Sequence, residues 1–137
     1  MPAISKNNQQ KLRFAAIGAF NTVLDFSILF SLTWLGLPKI LANIVSTSAA
    51  FLVSFFANRK FTFPDSKGKN LKRQLLLFTV VTLFGLWVIQ GIILYFAQPA
   101  LLSTGLSADI SLVIAKIIAT ITSLTWNFLL YSRVVFK

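Results

Sequence analysis

The chain has 137 residues, 56% of them hydrophobic and only 12% charged, with a mean hydropathy of +0.79. That is too apolar for a soluble globule of this size and reads as an integral membrane protein. Thirteen Lys and Arg stand against three acids, but the cations crowd the gaps between apolar runs, so the expected partners are anionic membrane lipids and not nucleic acid. Cys and His are both absent, which removes disulfides, thiolate chemistry, the commonest metal ligand and the commonest proton shuttle.

The polar, basic stretch from Met1 to Arg13 leads into an apolar run longer than the ~7 to 15 residues of a cleavable signal, so the first helix is expected to stay in the mature protein. Four apolar stretches, Phe14 to Leu37, Ile40 to Ala57, Leu75 to Ala97 and Ile110 to Tyr131, approach the ~20 residues that span a hydrocarbon core. They lack the alternation of barrel strands, and open strands would leave backbone groups unpaired in lipid. The expected fold class is therefore all-α: a polytopic membrane protein of four transmembrane helices, arranged as two hairpins in a single domain over residues 1–137. Pro38, after Gly36 and Leu37, forces a tight turn between the first two helices.

The second connection, residues 58–74, holds Arg59, Lys60, Lys67, Lys69, Lys72 and Arg73 against Asp65 alone, with Pro64 and Gly68 as helix breakers. The third, residues 98–109, has no Lys or Arg. By the positive-inside rule the middle loop and both termini are cytoplasmic, with only Lys39 on the far side. Trp34 and Tyr95 suit the outer aromatic belt, and Phe61 and Phe63 the inner one.

A polar stripe is written twice. Asn43, Thr47, Ala50 and Ser54 recur 73 positions on as Lys116, Thr120, Ser123 and Asn127, at steps that keep each set on one helix face. The two halves also end alike, in Ser54-Phe55 through Arg59-Lys60 to Phe63 and in Asn127-Phe128 through Arg133 to Phe136. Each hairpin would start and finish inside, making a parallel repeat. A true duplication and chance convergence of interface chemistry both stay open at this point.

Ionisable groups inside a membrane are functional by default, and Lys in hydrocarbon costs roughly 2.5 to 3.5 kcal/mol on insertion scales. Asn21, Thr22 and Asp25 share a face of the first helix with Gly18. At ~1.5 Å per residue Asp25 lies about 18 Å from Arg13 and Lys116 about 25 Å from Arg133, so the two can meet. They read either as a structural ion pair, which adds little net stability, or as a phosphate counter-ion with a resting partner that keeps the ammonium charged. Asn43 and Gln90 lie at a similar depth as hydrogen-bonding groups for sugar or phosphate, Gln90 equally as one inter-helix bond. Arg59, Lys60 and Arg133, with Asn58 beside them, either orient the helices or collect lipid phosphate at the cytoplasmic leaflet. Gly18, Ala15, Ala49, Ala50, Ala57, Ala115 and Ala119 read as ordinary close packing. No catalytic constellation, metal site or cofactor motif is present, and an enzyme is not expected.

These residues resemble the GtrA-like family of small four-helix membrane proteins, from about Leu12 to Phe136. The resemblance rests on Arg13-Phe14 to Gly18 with Asn21-Thr22 and Asp25, on Ser54-Phe55-Phe56-Ala57-Asn58-Arg59-Lys60-Phe61-Thr62-Phe63, and on Lys116, Asn127-Phe128 and Arg133-Val134-Val135-Phe136. Where many relatives carry a further Asn-Arg pair near the end, this chain reads Tyr131-Ser132-Arg133, which puts two equivalent phosphate clamps in doubt. The resemblance implies flipping of a polyprenyl-phosphate-linked sugar, typically a hexose on undecaprenyl phosphate, across the bacterial cytoplasmic membrane for polysaccharide glycosylation. It also implies that some members organise or recruit membrane glycosyltransferases. Four helices enclose little volume, so a homo-oligomer is expected. The rivals are a membrane scaffold for a glycosyltransferase and a small proton-coupled multidrug exporter using Asp25, whose cationic substrates Lys116 would oppose.

Overall fold

In the computed structural model, residues 5–137 are described, and among them every regular element is helical. The α-helices are α1 (Lys6–Trp34), α2 (Lys39–Ala57), α3 (Leu71–Leu83), α4 (Gln90–Leu102) and α5 (Ala108–Leu130). π-helical turns extend or join them at Asn58–Thr62, Phe84–Ile89 and Tyr131–Val135. Four continuous helical stretches result, Lys6–Trp34, Lys39–Thr62, Leu71–Leu102 and Ala108–Val135, each long and apolar enough to cross a membrane. The protein is a multi-pass membrane protein.

These helices outrun the apolar stretches seen in the sequence, because backbone hydrogen bonding continues past the hydrocarbon wherever a polar cap stops fraying. The Ser5 side chain accepts from the Asn8 amide at 3.3 Å, Asn70 from Arg73 at 3.2 Å and Ser107 from Ile110 at 3.4 Å. The basic connection accordingly shrinks. Arg59 and Lys60 ride on the π turn that prolongs α2, Lys72 and Arg73 on the first turn of α3, and a short 3-10 turn at Pro64–Ser66 lies between.

The chain forms two compact units, the first ending at Gly68 and the second Lys69–Lys137. In the first, α1 packs on α2. Their turn closes when Gly36 takes φ +96° and the Leu37 amide donates back to Leu32 at 3.0 Å, after which Pro38 caps α2. In the second, α4 packs on α5, and Gly105 at φ +92° serves the turn between them.

The two units share one burial pattern. Ala42, Ser46, Ala50, Phe55, Asn58, Thr62 and Phe63 are buried, and so are Ala115, Ala119, Ser123, Phe128, Tyr131, Val135 and Phe136, each 73 positions on. The π turns Asn58–Thr62 and Tyr131–Val135 obey the same shift. Interface chemistry explains repeated cations and aromatics, but not a matched line of buried small residues ending in matched π turns. The repeat is therefore one of structure as well as sequence.

Arg13 pins the open end of the first hairpin, its guanidinium donating to the Phe61 carbonyl of the π turn at 3.0 Å. The neighbouring Lys6–Asp65 pair at 3.2 Å is 77% and 79% exposed, so it contributes roughly 0 to 1 kcal/mol. Arg13→Ala is expected to speed hydrogen exchange at Thr62 and Phe63 about fivefold, the equivalent of a ~1 kcal/mol bond. Exchange should stay slow at Leu37, whose amide is held by the distant turn. Equal exchange at all these amides in both proteins would show that Arg13 holds nothing.

Candidate functional site

Within the first hairpin the polar residues of α2 divide by face. Ala42, Ser46 and Ala50 form the buried line, while Asn43 and Thr47, one position round, are exposed and Ser54 is half-buried. Below them Asn58 is buried at 2% exposure, donating from Nδ2 to the Ser54 carbonyl at 2.9 Å and to Ser54 Oγ at 3.4 Å. Its Oδ1 and Thr62 Oγ1 are enclosed without a hydrogen-bond partner among the described residues. On α1, Asn21 and Asp25 are half-buried, and the Oδ1 of each is enclosed and unpartnered in the same sense. An unpaired buried polar atom costs about 1 to 3 kcal/mol, so four such atoms in one hairpin are not a feature of ordinary apolar packing.

At the basic end of the same hairpin, Phe56, Arg59, Lys60 and Lys67 line a cavity of about 250 Å³. Phe56 exposes its ring while leaning edge-on against the buried Phe55, centroids 5.2 Å apart and planes at 73°. Lys60 Nζ lies 5.1 Å from the centroid of the Phe61 ring. Phe61 is exposed, but Phe63, expected beside it at the membrane interface, is buried at 5% exposure within the hairpin end.

In the second hairpin Ser123 and Asn127 are buried, Thr120 is half-buried, and Lys116 is exposed next to buried Ala115. Asn127 Oδ1 is enclosed without a partner among the described residues. Facing it is Gly85, in the π turn between α3 and α4, where a Cβ would come within 2.8 Å of Asn127 Oδ1 and 2.9 Å of Ser123 Oγ. Aromatic contacts flank this crossing. Trp126 Nε1 donates to the Val81 carbonyl at 3.3 Å, the Phe84 and Trp126 rings are 5.1 Å apart, Phe78 stacks on Tyr131 at 4.5 Å, and the Tyr131 and Thr82 hydroxyls share a hydrogen bond. Arg133 is exposed on the final π turn, and Gln90 is half-buried.

The structure thus groups Asn58 with Ser54, and Arg59 with Lys60, inside one hairpin. Asp25 and Lys116 belong to different hairpins, as do Arg59 and Arg133. Two participants were missed in the sequence. Lys67 looked like one loop cation among several, and only the short 3-10 turn brings it beside Arg59 and Lys60. Gly85 has no polar neighbour in sequence to mark it, whereas Gly18, expected to serve close packing, has nothing within 4 Å of an added Cβ.

The sequence pattern of the GtrA/DPMS transmembrane domain matches residues 13–136. The chain belongs to this family. It is also similar to an uncharacterized membrane protein of Bacillus subtilis (strain 168), YngA, at 29% identity over 120 residues, covering 85% of this chain and 72% of that one. The GtrA-like resemblance drawn from Asn21, Asp25, the Ser54 to Phe63 segment and the terminal Arg133 to Phe136 is borne out. Members of the GtrA/DPMS family are generally non-catalytic membrane proteins, and membership suggests involvement in handling polyprenyl-phosphate sugars.

Proposed function

We propose that the protein flips a polyprenyl-phosphate-linked monosaccharide across the bacterial cytoplasmic membrane, without catalysis or cofactor, to supply glycosylation of a cell-surface polysaccharide. Both termini and the basic connection lie in the cytoplasm, and a homo-oligomer builds the passage. The observation that carries this reading is the duplicated helix line ending in a π turn, with enclosed, unpartnered acceptors at Asn58 and Asn127. A sugar phosphate head needs hydrogen-bonding groups at successive depths, while its isoprenoid tail stays in lipid.

In this scheme Arg59 and Lys60 of the first hairpin, and Arg133 of the second, attract the phosphate, while Asn21, Asn43 and Ser54 of the first and Lys116 and Asn127 of the second offer the head polar groups along each hairpin. An exporter of hydrophobic cations is disfavoured, because Arg59, Lys60 and Lys67 surround the cavity of the first hairpin and repel like charge.

The test is reconstitution of the full chain in liposomes carrying a labelled polyprenyl-phosphate hexose in the inner leaflet. Outward movement at least about tenfold faster than in protein-free vesicles is expected, equivalent to a barrier lower by ~1.4 kcal/mol. Equal rates with and without protein would end the flipping reading.

A further inference from the structure

The Phe56–Arg59–Lys60–Lys67 cavity carries more charge than a sugar-loaded lipid needs. In a polyprenyl-phosphate hexose the phosphate is esterified on both sides and bears a single negative charge. The sugar-free carrier is a monoester, whose second ionisation near pH 6 leaves it with a charge of about −1.5 to −2 at neutral pH. Three cationic side chains and no carboxylate line the cavity, and the nearby Asp65 is paired with Lys6 instead.

Helix electrostatics explain part of this cluster. The end of α2 and its π turn carries the negative pole of the helix, which favours cations at Arg59 and Lys60. Lys67 lies beyond both the π turn and the Pro64–Ser66 turn, so the helix pole does not account for its place on the same cavity. Phe56 adds an exposed aromatic wall, held in orientation by Phe55, which suits the first carbons of an apolar chain and not a free inorganic ion.

The repeat sharpens the point. Shifting by 73 turns Phe56 into Leu129, Arg59 into Ser132 and Lys60 into Arg133. At these three positions the second hairpin keeps the π turn but has one cation in place of two and no aromatic wall.

Resting on the reading of this chain as a handler of polyprenyl-phosphate lipids, we propose that the first hairpin's cavity is a selective site for a prenyl phosphomonoester, the unloaded carrier, in preference to its sugar phosphodiester. Joining a sugar to the phosphate removes one charge, so the same cavity loosens its hold once the lipid is loaded. The reaction class that consumes this ligand is glycosyl transfer onto its phosphate oxygen, carried out by a separate enzyme.

The experiment measures binding to the full chain in nanodiscs of uncharged phosphatidylcholine. The probes are farnesyl monophosphate, a farnesyl phosphoryl hexose, phosphatidylglycerol and inorganic phosphate. At about pH 7.5 the monophosphate is expected to bind at least about tenfold more tightly than either diester, a difference of ~1.4 kcal/mol. At about pH 5 the advantage should fall below about threefold, because the monoester regains its second proton while arginine and lysine side chains hold their charge. Lys67→Gln should weaken monophosphate binding about fivefold or more, and Lys67→Arg should restore it, as expected of a charge-assisted contact.

Equal affinity for monoester and diesters in the wild type would overturn the proposal, as would monophosphate binding unchanged in Lys67→Gln. Inorganic phosphate competing as well as farnesyl monophosphate would equally overturn it, by showing that the chain is not recognised. Movement of the sugar phosphodiester by the wild-type protein in liposomes is scored separately. Loss of monoester preference with movement intact defeats only this inference, and preference without movement defeats only the flipping reading.

Discussion

Replacing Lys116 by alanine is expected to slow transbilayer movement of the polyprenyl-phosphate hexose about ten- to a hundredfold, the rate equivalent of losing one charge-assisted contact of ~1.5 to 3 kcal/mol. Lys116 is exposed on α5, about 12 Å along the helix from Ala108 at ~1.5 Å per residue. An ammonium at such a depth is not tolerated against acyl chains without water, a counter-charge or an anionic ligand. A phosphate moving past Lys116 satisfies that need in transit and lowers the barrier there. Lys116→Arg keeps the charge and should retain most of the flux. Wild-type rates in reconstituted Lys116→Ala would remove the lysine from the pathway and leave it a snorkelling residue.

The largest structural effect is expected at Gly85. A leucine there must place its Cβ within 2.8 Å of Asn127 Oδ1 and 2.9 Å of Ser123 Oγ, with Trp126 Cδ1 at 3.3 Å, and its remaining atoms have no free space toward α5. Overpacking of this kind typically costs about 1 to 3 kcal/mol, occasionally more. Gly85→Leu is expected at the upper end, visible as a clear fall in thermal midpoint in detergent. Gly85→Ala is milder, because the two closest atoms belong to side chains and not to backbone, and alanine gains up to ~1 kcal/mol of helix propensity over glycine. Asn127→Ala should therefore relieve part of the Gly85→Ala defect. Gly91→Ala is the control, since nothing lies within 4 Å of its added Cβ. A midpoint for Gly85→Leu equal to that of Gly91→Ala would mean that the Phe84–Ile89 turn and α5 do not approach here as described.

The transmembrane helices were legible because runs such as Leu75 to Ala97 match the hydrocarbon thickness, a constraint that composition alone reveals. Their true ends were not, since Ser5, Asn70 and Ser107 cap helices in water, where apolar content is silent. The 73-residue repeat was visible in Asn43 to Ser54 against Lys116 to Asn127, but which side of that stripe packs inward was not. Small and polar residues occupy adjacent positions, so Ala42, Ser46 and Ala50 can form the buried line as readily as Asn43 and Thr47. The π turns carry no residue signature of their own, and Lys67 joins Arg59 and Lys60 only through the fold of Pro64–Ser66. Arg59 and Lys60 themselves stood out, because paired cations at the end of an apolar helix are conspicuous whatever their purpose.

The matched burial of the two hairpins bears on how such a chain could arise. A segment that crosses lipid twice returns to the side it left, so joining it end to end with its own copy creates no conflict over orientation, whichever leaflet is first. A link as short as residues 63–70 is enough. Once doubled, neither copy has to keep every property of the ancestor. Phe56, Arg59 and Lys60, matched in sequence by Leu129, Ser132 and Arg133, show that the two copies have already diverged at the ends of their second helices.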